Sequence, residues 1–438
     1  MIMKKMILLL LLFSNYLFAQ KWVQIYDSGI KKVELLKYEE AIIDFSAVIL
    51  ANSKYAATYY NRGWCYANIQ EYALSIEDFN KSIQLQFNLE NSYLNRGLSK
   101  MNLNDFLGAK YDFESVLKLN KKSENAYLNL GVAKSKLEMF KESISDFDKC
   151  LNINPQNELG YLNRGLNYYL LEDYTQALSD LNFVIELNPN SEKAYYTRAL
   201  LKDDIKDYNG ALLDYNKAID INKSSNNYLM RANFKLTRGE YEEAMEDFTQ
   251  VIKLDSNSEL GYVGRSKARS YLEDYIDSFM DISKAIEINP TNLASLLWRG
   301  KISFDLKDYL AVINDCTKVL LLDKDNIDAL FNRGIAYQNS SNFNLALLDY
   351  KRVIELDSTF SRAYENSGMS LANLDDYSGA INFYNIAIKL NPNVGQTYAN
   401  RAISLFNIGI QKEACDDLLK SKELGFADAN DLIKQYCK

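Results

Sequence analysis

Histidine is missing from all 438 residues of this chain. That absence removes His-based catalytic triads, imidazole metal sites and the commonest general acid–base group. Proline is nearly missing as well, with four residues, and glycine is scarce, with 18. Both shortages suit helices joined by short turns. The five cysteines include no C-x-x-C pair, and no glycine-rich loop that would cradle a phosphate occurs. No Pro- or Ser-rich linker and no low-complexity tail divides the chain. Positive charge is in deficit: 50 Lys and Arg against 58 Asp and Glu leave a net −8, spread along the chain. This argues against a nucleic-acid partner and reads most simply as a solvated acidic surface. The pairs Asp203/Asp204 and Asp416/Asp417 read as helix-surface or register residues. No catalytic residue, metal ligand or cofactor is expected, and the chain does not read as an enzyme.

What is present is an apolar share of 47% with 32 tyrosines, ample for a packed interior. A chain of this length exceeds the roughly 250–300 residues at which single cores stop growing. The way out is internal repetition. The stretch from Tyr161 to Pro189 returns along the sequence, with Gly165 as its marker. Equivalent small residues stand at Gly29, Gly63, Gly97, Gly131, Ala199, Ala232, Ser266, Gly300, Gly334, Gly368 and Ala402. Each step is 34 residues except that from Ala199 to Ala232, which is 33. Twelve units of this length predict an all-α helix–turn–helix solenoid in which each unit packs on its neighbours.

The N-terminus carries the one long apolar run. Lys4 and Lys5 precede Met6 to Phe13, and Ala19 offers a small residue for cleavage. Residues 1–19 read as a secretory signal peptide, too short for a comfortable membrane span. No Cys follows the cleavage point, and no other stretch is apolar enough to cross a bilayer. The expected organisation is a signal at 1–19, twelve repeats over 20–426 and a capping helix at 427–438, in an exported protein, periplasmic or secreted.

With the small residue numbered position 8, the positions of the repeat acquire roles. Position 4 is Tyr in nine copies. Positions 4, 8 and 11 share a face of a first helix, A, and the small residue lets a partner helix approach. Positions 20, 24, 27 and 28 make the buried stripe of a second helix, B. Position 24 is aromatic or aliphatic except at Cys316, and position 17 is aromatic in eleven copies. All four prolines, Pro155, Pro189, Pro290 and Pro392, fall at position 32 behind an Asn. Each Asn-Pro stops helix B and begins the next unit.

This pattern resembles the tetratricopeptide repeat over residues 22 to about 428, with Tyr replacing Trp at position 4 and Arg replacing Leu at position 7. The resemblance implies a right-handed superhelix with the A helices on its concave face and a role in holding other proteins. The carboxylate clamp of chaperone-binding members is not reproduced, since no copy has Lys at position 5.

Two polar series run through the units. Arg stands at position 7 in nine copies and Asp at position 23 in eleven, predicting a bidentate pair across each A–B seam, a structural ladder. Repeat eleven lacks both, with Ser367 and Phe383, whereas repeats one and four keep Asp opposite Ser28 and Leu130. Position 6 is Asn in seven copies: Asn61, Asn95, Asn129, Asn163, Asn332, Asn366 and Asn400. In tetratricopeptide superhelices this position faces the groove, and the O-GlcNAc transferases of the family carry a similar asparagine ladder. An amide offers an extended chain both donor and acceptor; the alternative is that each Asn bonds its own helix stack. Repeats six to nine interrupt the series with Thr197, Met230, Gly264 and Trp298, next to the shortened loop Lys223 to Asn227. Lys267 and Lys301, at position 9, add positive charge there. Trp298 and Lys301 are candidates for a hot spot, or Trp298 simply packs on an adjacent helix.

Cys65, Cys150 and Cys316 fall at helix positions where small buried thiols are ordinary. Cys415 and Cys437 flank Gly425 at distances that permit a disulfide in an exported protein, stapling a last helix of Ala427 to Tyr436; two free thiols are the alternative. The function expected is a non-catalytic scaffold of the cell envelope that binds protein or peptide segments in its groove. A structural spacer, or an accessory subunit of an envelope or secretion complex using convex or edge surfaces, is the rival. The oligomeric state is left open.

Overall fold

A computed structural model describes residues 21–437. The expected signal peptide, residues 1–19, lies outside the described residues. The described part is all-α, with 25 helices numbered here α1 to α25 in chain order. None is long and apolar enough to cross a membrane. They alternate as A and B helices, and two compact units divide the chain at Asn222/Lys223. The first holds α1 (21–34) to α12 (Tyr208–Ile221). The second holds α13 (Ser225–Arg238) to α25 (Ala429–Tyr436).

Within a hairpin the two helices meet through the small residue at position 8 and the ring at position 24. A Cβ added to Gly97, Gly131 or Gly334 would lie 2.6 Å from a ring carbon of Phe113, Phe147 or Tyr350. These rings are fully buried. The turn from A to B sets position 15 in the left-handed region, and ten of its twelve occupants are not glycine; Glu172, for example, has φ 60°. What holds them is the helix-terminating bond pattern: the Asp173 N–H reaches back to the Tyr168 carbonyl at 2.9 Å. The shortened unit instead uses Gly239, with φ 79°, where the absent Cβ removes the strain. Helix B then starts on a capping aspartate in six hairpins, as where Asp105 accepts from the Gly108 N–H at 2.9 Å.

Three of the four asparagines that precede proline do more than end a helix; the fourth, Asn391, belongs to a unit that begins with Ser361 rather than Glu. Asn154 and Asn188 return their side chains to Glu124 and Glu158, the first residues of the same units, at 2.8 and 3.0 Å. Asn120 does the same to Glu90 without a following proline. The clasp ties the two ends of a hairpin together, which the sequence reading had assigned to chain direction alone.

At the C-terminus Gly425, with φ 82°, turns the chain after α24 (Gln411–Glu423). Leu432, Ile433 and Phe426 pack on the core formed by Ala399, Ala402, Leu405, Ala414 and Leu418. Tyr436 stacks on Phe406 with centroids 4.9 Å apart. Cys415 and Cys437 are joined by a disulfide, with Cα atoms 5.7 Å apart.

Candidate binding groove

The arginine ladder is present and wider than a hairpin. Arg62 grips Asp78 with Nε at 2.7 Å and a terminal nitrogen at 2.8 Å, and Arg164, Arg265, Arg299, Arg333 and Arg401 repeat the geometry. The remaining terminal nitrogen crosses to position 25 of the preceding unit: Ser46 from Arg62, Asn80 from Arg96, Asp148 from Arg164, Ser283 from Arg299. One guanidinium thus fastens the seam inside a repeat and the seam to the repeat before it. The signal was in the sequence. Where the following unit lacks Arg, at Leu130 and Ser367, position 25 is Glu114 or Lys351 instead of a short polar residue.

Repeats one and four keep their aspartate because position 11 supplies another cation. Lys32 meets Asp44 at 2.8 Å and Lys134 meets Asp146 at 2.5 Å. Where position 11 is Tyr, as at Tyr66, Tyr168 and Tyr337, the ring lies under the arginine within 6.0 Å. Apart from the half-buried Asp44 the aspartates are buried, and for Asp78 burial pushes the carboxyl up against the opposing pull of Arg62.

The seven asparagines at position 6 are all half-buried. In the first unit Asn61 donates to the Tyr26 hydroxyl at 2.7 Å and Asn95 to the Tyr60 hydroxyl at 3.1 Å. Burial pushes the Tyr26 hydroxyl up to about 12, so it stays a neutral partner at ordinary pH. Asn129 and Asn163 donate to backbone carbonyls one turn earlier, Asn125 and Leu159, at 2.8 and 2.7 Å. In the second unit Asn366 bonds the Tyr350 side chain and Asn400 accepts from Gln396 at 2.9 Å. Amide donors of the first four are therefore held by the protein itself, a use that spacing alone did not show.

Asn332 stands apart. It lines a cleft of about 710 Å³ in the second unit, between α15 (Glu259–Tyr271), α17 (Leu293–Asp305), α18 (Tyr309–Leu322) and α19 (Ile327–Asn339). Trp298 and Lys301 line the same cleft. The structure thus brings three of the sequence-predicted residues to one place. Trp298 is half-buried and donates its indole N–H to Ser266 Oγ at 3.1 Å, which fixes the ring against the preceding repeat. Lys301 and Lys267 lie over that ring, at 4.5 and 5.8 Å from its centroid. The walls are mostly apolar, with Leu260, Val263, Leu297, Phe304 and Ile335. A concave, largely apolar space of this size with a few polar groups is the ordinary form of a binding pocket.

The floor owes its room to the exception at position 24. Cys316 replaces the position-24 ring, and a Cβ built on Gly300 would meet nothing within 4 Å, unlike every other position-8 glycine. Burial pushes the Cys316 thiol up to about 12, so the floor is neutral and apolar.

The sequence profile described as tetratricopeptide repeat matches residues 56–89, 124–157, 192–225, 225–258, 327–360 and 361–394. No curated protein matches the chain. Among solved structures, the chain is similar to the Cut9–Hcn1 hetero-tetramer of the APC/C, at 14% identity and TM-score 0.45, covering 97% of this chain and 98% of that one. It is also similar to a tetratricopeptide repeat protein from Parabacteroides merdae, at 18% identity and TM-score 0.40, covering 65% and 99%. A third is YrrB, described as having an unusual peptide-binding site, at 23% identity and TM-score 0.38, covering 41% and 92%.

Proposed function

The chain is a tetratricopeptide-repeat protein, and from that premise we propose that it is a non-catalytic scaffold of the cell envelope that holds protein or peptide segments along its A helices. The observation that carries this reading is the convergence of Trp298, Lys301 and Asn332 on one apolar cleft. Extended peptides are bound by pockets for alternate side chains plus polar groups for the main chain, and this cleft supplies both. Export follows from the basic, apolar and small-residue order of residues 1–19. The disulfide between Cys415 and Cys437 fits an oxidising compartment.

Selection of peptides from a random library on the full chain tests the binding half. Trp298→Ala combined with Asn332→Ala is expected to weaken the selected peptides at least about tenfold, the scale of a 1.4 kcal/mol hot-spot loss. Peptides that bind the double variant unchanged would reject the groove. N-terminal sequencing of the protein recovered from its native host tests export: the mature chain should begin at Gln20, and an intact Met1 would reject it.

The accessory-subunit reading has its own observation. Ile276 and Met280 on α16 (Tyr275–Ile288) and Leu310 on α18 are 69%, 64% and 68% exposed. They offer apolar contacts on B helices, away from the asparagine positions. A stable large complex recovered from the envelope, disrupted by charges at these three residues, would favour that reading over the groove.

A further inference from the structure

Repeat nine lacks the ring that most of its siblings carry. Eight of the twelve units place Phe or Tyr at position 24, and three place Leu or Ile. In five of the six ring-bearing hairpins that also have glycine at position 8, the ring edge closes on the glycine: carbons of Phe45, Phe113, Phe147, Tyr350 and Tyr384 lie 2.6–2.7 Å from where a Cβ would be, and in the sixth Phe79 lies 3.4 Å from that point on Gly63. Even Leu181 comes within 3.4 Å of the corresponding point on Gly165. Cys316 stops short, and the space beside Gly300 is open. Val312, larger than the Ala or Ser of the other units at position 20, lines the cleft without closing it. Close packing is the rule in protein interiors, so a vacancy of this kind forfeits contacts along its whole lining.

The vacancy is continuous with the cleft that Trp298, Lys301 and Asn332 share, since Gly300, Val312 and Cys316 are part of the same wall. We infer that this cleft receives an aromatic side chain from a partner peptide, a Phe- or Tyr-type ring seated where the repeat's own ring is missing, with an acidic residue beside it. The ring follows from what the other units put in that place. The acid follows from Lys267 and Lys301, which lie 5.8 and 4.5 Å from the centroid of the Trp298 ring and make no ion pair among the described residues. Asp305 and Asp328 are the acids that also line the cleft, and they disfavour a second carboxylate on the partner. Asn332, with its amide unengaged by any hydrogen bond among the described residues, is placed to take the partner's main chain. This inference rests on the scaffold reading and gives it a ligand chemistry.

The test uses the full chain and three capped dipeptides, Ac-Asp-Phe-NH2, Ac-Asp-Ala-NH2 and Ac-Asn-Phe-NH2, followed by ligand-observed NMR titration. The first is expected to bind at least tenfold more tightly than the second and several-fold more tightly than the third, the last difference shrinking as salt is raised. Cys316→Phe fills the vacancy from helix B and Gly300→Leu from helix A; each should abolish binding of Ac-Asp-Phe-NH2. Cys316→Phe should also raise the thermal midpoint by a few degrees. The two plugs enter from opposite sides, so a folding failure in one leaves the other informative, and circular dichroism reports which has kept its helices. Equal binding of the Phe and Ala probes, or binding that survives a folded plug variant, overturns the ring. Equal binding of the Asp and Asn probes overturns the acid. Library peptides that depend on Trp298 and Asn332 yet ignore both plugs would leave the scaffold standing and remove this inference. Ring binding without capture of any longer peptide would do the reverse.

Discussion

At the scale of single residues, the arginine ladder shows why equal-looking contacts differ in weight. Asp78 depends on Arg62 alone, because position 11 of its unit is Tyr66. Asp112 has Arg96 and also Lys100, at 2.8 Å. Removing one member of a buried pair leaves a charge without compensation, at about 3–5 kcal/mol. Arg62→Ala is therefore expected to cost about 3 kcal/mol, and Arg96→Ala at least about 1 kcal/mol less because Lys100 remains. Urea denaturation of the two variants against the parent measures both. Equal losses would show that the second cation contributes nothing to Asp112.

At the scale of elements, the hairpin of α9 (Glu158–Leu170) and α10 (Tyr174–Leu187) is closed at three points. The turn is held by the helix-terminating bond at position 15, the seam by the Arg–Asp pair and the far end by the Asn-to-Glu clasp. The twelfth hairpin is covered by α25, whose Leu432 and Ile433 pack on its core. Its tie is the bond between Cys415 and Cys437, 22 residues apart. A loop of this size contributes about 3 kcal/mol by restricting the unfolded chain. Cys415→Ser with Cys437→Ser is thus expected to leave most helices intact while amides of α24 and α25 lose hydrogen-exchange protection by about that amount. Protection that is unchanged in the double variant would show that Phe426, Leu432 and Ile433 hold the cap without the bond.

At the scale of the whole molecule, stability is local by construction, because each repeat touches only its neighbours. The second unit has its own cores, around Ile282 and Val319, around Tyr350, around Phe248 and around Leu418. Residues 223–438 expressed alone are expected to keep native-like helicity and a cooperative thermal transition, with fraying confined to α13. Circular dichroism and limited proteolysis decide it. A molten fragment would show that the first unit's repeats are needed to nucleate the second.

How much of this was legible beforehand follows from what a repeat is. Twelve registered copies fix helix positions, buried stripes and turn points, because each requires a residue type at a period set by helix geometry, as Tyr at position 4 and Ala at position 20 show. The Arg–Asp pairing was legible for the same reason. What the sequence left open was the use of side chains that can serve two partners. An asparagine at position 6 reads identically whether it awaits a peptide or donates to Tyr26, and only the distance between neighbouring helices decides. Lys134 could replace the missing arginine of repeat four only because one helical turn brings it to the same aspartate. Cys316 was visible as an exception, but a single substitution has no volume until its neighbours are placed around it. The open space beside Gly300 is a property of three helices together, and packing alone determined that no neighbour moved in to fill it.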